Sequence, residues 1–311
     1  MKVAIIGSGA MGSLFGGKLS AVGADVVLYD VYKEHVETVN RDGLVIEEAA
    51  TGELASFRPR ASADSAAVQG ADVMIFFVKS TNTAEAARTF APLAGPATIA
   101  VTLQNGLGND AILREQFGAA RTAIGVTSQG ATFLGPGRIR HAGNGPTHLG
   151  MSDSRNEKLG AFAELLNKAG FETHVDPSVE SLAWSKLVVN VGINGLTALM
   201  GRPNGRLVDI EETRLLMADL VAEVVAVAAA RGIKLTHADP LATVMDVARK
   251  TAENRSSMLQ DFDRNRETEI EVINGAVVRE AAKVGIPVPV NTTIYRLVKA
   301  LDKFHAETKS V

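Results

Sequence analysis

Three polar side chains interrupt an otherwise apolar segment in the second half of the chain. Lys186, Asn190 and Asn194 lie four residues apart, so they share one face of a helix. Polar groups on an apolar helix cost free energy unless they are paired or face a ligand. The alternative interpretation is that these three side chains are simply buried and hydrogen-bond to neighbouring backbone groups. Three such groups on one face, one of them a lysine, favour a functional site.

A second polar cluster covers residues 253–261 and continues to Arg264 and Glu269. If this segment is helical, Ser257, Asp261 and Glu269 can share a face. The alternative interpretation is a solvated helical face, which fits the charge run that begins at Arg264. The cluster is therefore a second candidate site.

The chain begins with a glycine-rich loop, Gly7-Ser8-Gly9-Ala10-Met11-Gly12, between a predicted strand and a predicted helix. This pattern holds the pyrophosphate of a dinucleotide: one glycine makes the turn, one admits the phosphates, and one lets helix pack on strand. The helix N-terminus offers free N–H groups to the phosphates. The alternative is a packing turn in an unrelated α/β fold.

Asp30 ends the second predicted strand. An acid at this place accepts hydrogen bonds from the adenosine ribose and repels a 2′-phosphate, which favours NAD over NADP. The alternative interpretation is that Asp30 is an ordinary residue of a surface turn. In that case the nearby Lys33 could still bind a 2′-phosphate.

Two further polar residues follow predicted central strands. Lys79 closes the apolar run 71–78, and Asn105 follows the strand 97–103. Ligands of open α/β sheets bind at the carboxyl ends of the strands, so both side chains are expected to face the nicotinamide half of a cofactor.

The elements that position these residues change type along the chain. Strands and helices alternate first, which predicts an N-terminal α/β domain of the Rossmann type with a doubly wound sheet, residues 1–175. Helical patterns alone follow, which predicts an all-α domain, residues 176–311. The predicted strands are 2–7, 25–30, 71–79, 97–103, 122–127, 135–140, 147–150 and 171–175. The predicted later helices are 157–169, 178–199, 211–231, 239–249, 256–285 and 291–305.

Composition excludes several classes of protein. The 311 residues are 46% apolar and carry a net charge of −3, so nucleic acid and an acidic membrane are not expected partners. The chain has 0 cysteines, which excludes disulfides and thiolate chemistry. The 6 histidines lack metal-ligand spacing, so no metal site is expected. No apolar stretch approaches the roughly 18 residues that a membrane span needs, and glycines interrupt the N-terminal apolar run where a signal peptide would be continuous, so a cytoplasmic protein is expected.

Over nearly its whole length the chain resembles the ketopantoate reductases (2-dehydropantoate 2-reductases). The motifs that carry the resemblance are Gly-Ser-Gly-Ala-Met-Gly at 7–12, Leu-Gln-Asn-Gly-Leu-Gly at 103–108, Trp-Ser-Lys-Leu-Val-Val-Asn at 184–190 with Asn194, Arg-Pro-Asn-Gly at 202–205, and Glu-Asn-Arg-Ser-Ser-Met-Leu-Gln-Asp at 253–261 with Thr-Glu-Ile at 268–270.

The resemblance implies NAD(P)H-dependent reduction of a branched 2-oxo acid, 2-dehydropantoate to (R)-pantoate, in pantothenate and coenzyme A biosynthesis. It implies that Lys186 protonates the ketone oxygen. The implied substrate-binding residues are Asn105, Asn190, Asn194, Asn204, Asn254, Ser256, Ser257 and Asp261. The implied cofactor contacts, besides the glycine loop and Asp30, are Lys79, Asn105, Ala131 and Glu269.

One departure from the family pattern bears on the cofactor. Members that use NADPH commonly carry a basic residue just after the second strand, where this chain has Asp30, Val31 and Tyr32. NADH is therefore favoured. A paralogous reductase of another 2-oxo acid and a non-catalytic cofactor-binding sensor are the alternatives. The apolar run 221–230 is interpreted as a buried helix or as the face of a homodimer formed through the helical domain.

Overall fold

The computed structural model describes residues 1–152 and 156–308, which divide into two compact units. The first comprises Met1–Gln104 and Asn109–Val179, and the second comprises Asn105–Gly108 and Glu180–Val311. The short segment Asn105–Gly108 thus belongs to the second unit although it follows a strand of the first. The reason is local: the Leu107 N–H donates to the Val272 carbonyl at 2.9 Å.

The first unit is built on an eight-stranded sheet in the order β12-β11-β8-β7-β6-β1-β2-β5. Neighbouring strands are parallel except for the antiparallel pair β8 and β11. In these described residues the strands of this sheet are β1 Lys2–Ile6, β2 Asp25–Tyr29, β5 Arg60–Ser62, β6 Val73–Phe76, β7 Ile99–Thr102, β8 Thr122–Thr127, β11 Thr147–Met151 and β12 Thr173–Val175. Five helices belong to this described part: α1 Ala10–Ala21, α2 Lys33–Asp42, α3 Thr83–Phe90, α4 Asn109–Phe117 and α5 Glu157–Lys168.

The strand order identifies where a ligand is expected. The chain runs from β1 to β2 on one side, and β6 pairs with β1 on the other, so the order reverses at β1. Ligands of open parallel sheets bind at such a reversal, beyond the carboxyl ends of the strands. The glycine loop begins at the carboxyl end of β1. Strands β6 and β7 are wholly buried, as their largely apolar sequences predict.

A second sheet, in the order β4-β3-β10-β9, was not predicted. Its strands are β3 Leu44–Glu48, β4 Leu54–Phe57, β9 Gly130–Gly135 and β10 Arg138–Gly143. The predicted strand 135–140 is wrong, because Gly137 has φ +67° and makes the turn between β9 and β10. Only alternate residues of β3 and β10 are buried and β4 is largely exposed, so the apolar pattern is weak.

The second unit is helical. Its described helices are α6 Val179–Met200, which starts at the unit boundary, α7 Arg206–Asp209, α8 Glu211–Ala230, α9 Pro240–Lys250, α10 Ser257–Asp263, α11 Asn274–Val284 and α12 Pro289–Thr308. The predicted fold class, a doubly wound α/β sheet followed by an all-α domain, is confirmed. Among the described helices, α6 alone is long and apolar enough to cross a membrane, but 72% of its most apolar window is buried, as in a core helix.

The single helix predicted over 256–285 is wrong. The Asp261 carbonyl accepts the N–H groups of Arg264 and Arg266, and Asn265 takes a left-handed φ of +50°, which ends α10. Ile270–Val272 forms a single 3-10 turn before α11 begins. Glu269 therefore reaches its position through a loop and does not share a helical face with Ser257 and Asp261. Val221, Val224 and Val227 are buried, which supports the interpretation of 221–230 as a core helix.

Candidate active site

The glycine loop joins β1 to α1 in a shape that side chains would prevent. Gly7 has φ +96°, and a Cβ there would lie 2.7 Å from the Val78 nitrogen. A Cβ on Gly12 would lie 2.0 Å from the Gly7 carbonyl oxygen. The first and third glycines are therefore required by the packing of strand, loop and helix.

At Gly9, in contrast, no protein atom excludes a side chain. No atom lies within 4 Å of a Cβ built on it, so the space beside the loop is open. Gly9 caps the twelve-residue helix α1, which has no side-chain cap and no acidic residue in its first turn. An open space at an uncapped helix N-terminus fits a diphosphate, because free N–H groups and the helix dipole attract anions. The residues present thus fit a dinucleotide.

Asp30 follows β2 and braces this loop. Its carboxylate accepts the Ser8 N–H at 2.7 Å, the Ser8 hydroxyl at 3.2 Å and the Tyr32 N–H at 3.0 Å. Val31 beside it is 77% exposed. Asp30 therefore has a structural role, which sequence reasoning missed, alongside its predicted contact with a ribose.

Lys79 and Ala131, the other predicted cofactor contacts in the first unit, lie on separate elements. Lys79 comes three residues after β6 and precedes the 3-10 turn Ser80–Asn82, so the predicted strand 71–79 ends early. Ala131 lies on β9 opposite His141 of β10. Gln104, which was not predicted as a site residue, donates to the Val78 carbonyl at 2.7 Å and so fixes the backbone next to Lys79.

In the second unit, the lysine of the α6 stripe meets an amide and a carboxylate. The Lys186 ammonium donates to Asn105 Oδ1 at 3.0 Å, and Asn105 Nδ2 contacts Glu269 Oε2 at 3.5 Å. Gly106 permits this approach: it has φ +79°, and a Cβ there would lie 2.2 Å from the Val272 carbonyl oxygen. Asn105, Lys186 and Glu269, which are far apart in sequence, therefore form one connected polar cluster.

The environment of Lys186 changes its titration. Burial of the ammonium lowers its pKa to about 8, although part of the residue remains accessible, and the negative charge of Glu269 opposes that shift. A lysine with this pKa is mostly protonated at neutral pH and gives up its proton far more readily than a solvated lysine. Lys186 is therefore suited to act as a general acid.

We expect the rate of a reaction in which Lys186 donates its proton, measured at saturating substrates, to fall as pH rises through about 8, because only the protonated lysine can donate. Replacing Glu269 with glutamine removes the charge that raises the lysine pKa, so the midpoint should move to lower pH. A kcat–pH profile measures both effects.

The matched control is Glu267→Gln, because Glu267 is an exposed carboxylate of the same loop that pairs with Lys299. It should leave the midpoint in place. A wild-type midpoint near the ordinary lysine value, or an upward shift in Glu269→Gln, would contradict the expectation.

The amide stripe of α6 continues further than predicted. Asn190 is half-buried and Asn194 is buried on the same helix as Lys186. Thr197, three residues on, is also buried, and its hydroxyl lies 2.7 Å from the Ser256 hydroxyl. Ser256 caps α10 by accepting the Leu259 N–H at 3.1 Å. Thr197 was missed, although it occupies the next position on the face that the stripe defines.

Asn204 and Asn254 are brought together by backbone hydrogen bonds. The Asn204 N–H donates to the Asn254 carbonyl at 2.9 Å, and Asn204 Nδ2 donates to the Thr251 hydroxyl at 2.9 Å. Asn204 Oδ1 is buried and accepts no hydrogen bond from the described residues. A buried acceptor without a donor costs free energy, so this oxygen is the least satisfied polar atom of the Asn204–Thr251 pair.

The remaining predicted residues lie on α10. Ser257 is its first residue and is exposed, whereas Asp261, one turn later, is buried. The second unit thus contains Asn105, Lys186, Asn190, Asn194, Asn204, Asn254, Ser256, Ser257, Asp261 and Glu269. The first unit contains the glycine loop, Asp30, Lys79 and Ala131. Within the described residues no group of three or more His, Asp or Glu side chains is placed to hold a metal ion.

The fold and the lysine site define a class: oxidoreductases with a Rossmann-type unit and a helical second unit. Two family descriptions match the chain, "Ketopantoate reductase PanE/ApbA" over residues 3–154 and "Ketopantoate reductase PanE/ApbA C terminal" over residues 178–302. The chain belongs to the ketopantoate reductase family, as its motifs indicated.

Relatives match over nearly the full length of the chain. The 2-dehydropantoate 2-reductase of Halobacterium salinarum is 38% identical, with 96% of this chain and 98% of the relative covered. That of Pyrococcus horikoshii is 34% identical, with 99% and 100% covered.

Solved structures agree. A PanE/ApbA family ketopantoate reductase from Ralstonia eutropha JMP134 matches with a TM-score of 0.91 at 33% identity, covering 98% of this chain and 100% of that one. A D-mandelate dehydrogenase with NADH and anilino(oxo)acetate matches with a TM-score of 0.89 at 27% identity and the same coverage.

Proposed function

We propose that this protein reduces 2-dehydropantoate to (R)-pantoate with a nicotinamide cofactor. The observation that carries the proposal is the buried Lys186 ammonium, held by Asn105 and near Glu269, in a chain of this family. The proposed role in metabolism is pantothenate biosynthesis in the cytoplasm. We assign dinucleotide binding to the first unit and substrate binding to the second.

The proposed chemistry follows from the charge that develops on the substrate. A bound reduced nicotinamide supplies hydride to the ketone carbon. The ketone oxygen then gains the electron pair of the carbonyl π bond, and Lys186 Nζ gives it a proton, so the product is a neutral alcohol. Asn105 holds the lysine in place, and the Glu269 carboxylate favours its charged form before the reaction.

The polar residues around Lys186 suit a hydroxylated 2-oxo acid. Asparagine amides bind hydroxyl and carbonyl oxygens without adding charge. Asn190 and Asn194 present such amides on the face of α6, and we propose that Asn204 supplies a third. Asn254, Ser256, Ser257 and Asp261 complete the proposed substrate-binding set.

We also propose a homodimer formed through the helical unit. Light scattering, which gives the molar mass in solution, tests whether the protein is a dimer.

Deuterium transfer tests the reaction itself. We expect NADH or NADPH with deuterium in place of both hydrogens at C4 of the nicotinamide to place deuterium at C2 of pantoate when 2-dehydropantoate is added. The second candidate, suggested by the D-mandelate dehydrogenase neighbour, is reduction of another 2-oxo acid. Deuterium in that product and none in pantoate would favour it. Cofactor binding without transfer to any 2-oxo acid would favour a sensor.

We infer that NADH is the preferred cofactor, from the carboxylate of Asp30 and the exposed Val31 at the end of β2. Replacing Asp30 with asparagine keeps an acceptor for the Ser8 N–H but removes the charge that repels a 2′-phosphate. We expect the preference for NADH over NADPH to shrink by about tenfold, as removal of one nearby unit charge allows. The ratio of the two kcat/KM values measures it.

Asp25→Asn is the control for that substitution, because Asp25 starts the same strand and is exposed. It should leave the ratio unchanged. A wild-type preference for NADPH, or an unchanged ratio in Asp30→Asn, would show that Asp30 does not select the cofactor.

A further inference from the structure

A buried histidine lies beneath the glycine loop. His35, in the first turn of α2, is 1% exposed. Its Nδ1 lies 3.0 Å from the Gly137 nitrogen, at the turn between β9 and β10, and its Nε2 lies 3.2 Å from the Ser13 hydroxyl on α1. Both ring nitrogens are thus engaged, although the residue was not predicted to belong to any site.

The partners determine the protonation state of the ring. A backbone N–H can only donate, so Nδ1 must accept the hydrogen bond from Gly137 and cannot carry a proton. Nε2 then carries the proton and donates to the Ser13 oxygen. The Ser13 hydroxyl in turn donates to the Ser8 carbonyl at 2.7 Å. The arrangement requires a neutral imidazole in one tautomer.

This chain of hydrogen bonds ends on the glycine loop. Ser8 is the second residue of the loop, and it is held from two sides. Its N–H donates to Asp30 at 2.7 Å, and its carbonyl accepts from Ser13. Fixing both peptide groups of Ser8 sets the direction of the backbone that leads to Gly9, where the open space for a diphosphate begins.

We propose that His35 is a positioning residue for dinucleotide binding, which holds the glycine loop through Ser13 and Ser8 only as the neutral imidazole. The proposal rests on the proposed function of the loop. Protonation would place an N–H on Nδ1 against the N–H of Gly137, so two donors would face each other and the turn would be pushed away.

The surroundings favour the neutral form at ordinary pH. Burial lowers the pKa of His35, and the Asp30 charge and the Ser8 backbone partly oppose that shift. Asp30 is the charged group that faces the ring, while the neighbours from α1, β9 and the hairpin turn are Ser13, Phe133 and Gly137, all uncharged. Loss of loop geometry is therefore expected only below the ordinary histidine value, roughly pH 6.5.

Calorimetric titration of NADH into the whole protein, at about pH 7.5 and about pH 5.5, tests the proposal. Wild type should bind several-fold more weakly at the lower pH. Ser13→Ala breaks the link to Ser8 and should weaken binding about tenfold at the higher pH, in keeping with the loss of one hydrogen bond. His35→Gln, which cannot take up a proton, should bind with little dependence on pH.

Steady-state kinetics distinguish a role in positioning the glycine loop for the cofactor from a merely structural role. In Ser13→Ala the KM for the cofactor should rise while kcat at saturating cofactor stays at the wild-type value. His174→Gln is the control, because His174 on β12 is exposed, and it should keep the pH dependence of wild type. Wild-type affinity that is equal at both pH values, together with wild-type binding by Ser13→Ala, would overturn the proposal. Failure of wild type to bind either dinucleotide at any pH would instead overturn the function proposed for the loop.

Discussion

Replacing Lys186 with alanine is expected to lower kcat for 2-dehydropantoate reduction by about a thousandfold, the middle of the range for loss of a general acid. The affinity for the cofactor should stay within about twofold of wild type, because the contacts proposed for the dinucleotide lie on other residues. Steady-state kinetics gives kcat, and calorimetric titration gives the cofactor dissociation constant.

Two control variants accompany Lys186→Ala: one keeps the positive charge at position 186, and the other removes a lysine outside the proposed site. Lys186→Arg keeps a positive charge that cannot be given up as a proton, so it should be nearly as slow as Lys186→Ala. Lys250→Ala removes an exposed lysine of α9 paired with Asp246 and should be as active as wild type. Near-wild-type turnover in Lys186→Ala would remove the lysine from the catalytic role.

Replacing Gly9 with alanine is expected to weaken dinucleotide binding roughly ten- to hundredfold, since an added methyl group against a bound group costs about 1–3 kcal/mol. Stability should not fall, because Gly9 has φ −61° and the added carbon meets no atom of the protein within 4 Å. Cofactor titration and urea denaturation measure the two quantities.

Alanine substitutions at two other glycines serve as controls for the effect at Gly9. Gly160→Ala, inside α5 and also free of contacts within 4 Å, should raise stability by up to about 1 kcal/mol without affecting binding. Gly12→Ala, where the new carbon would overlap the Gly7 carbonyl, should lower stability as well as binding. If Gly9→Ala binds NADH and NADPH as wild type does, the loop does not hold the diphosphate.

The parts of the fold predicted correctly are those encoded by consecutive residues. The apolar runs of β1, β6 and β7, the glycine loop and the polar stripe of α6 all express a local period or spacing. Strand β4 carries no such signal because it is largely exposed. The sequence predicts one helix over 256–285, but the break after α10 depends on the left-handed Asn265 and on the 3-10 turn Ile270–Val272, neither of which has a periodic signal.

Contacts within the site were less predictable, because they join distant parts of the chain. Lys186 and Asn105 were each identified, but no spacing indicates that they form a hydrogen bond 81 residues apart. The buried Asp302 on α12 accepts the Thr268 hydroxyl at 2.8 Å and so anchors the residue before Glu269. A lone aspartate in a C-terminal helix gives no sign of that role. His35 is a similar case.

The direct test of the central claim is a comparison of kcat/KM across a panel of 2-oxo acids with NADH and with NADPH. The panel should include 2-dehydropantoate and the 2-oxo acid that corresponds to mandelate. We predict that 2-dehydropantoate has the highest kcat/KM with either cofactor and that NADH gives the higher value of the two. Turnover of other 2-oxo acids with none of 2-dehydropantoate would contradict the proposed function.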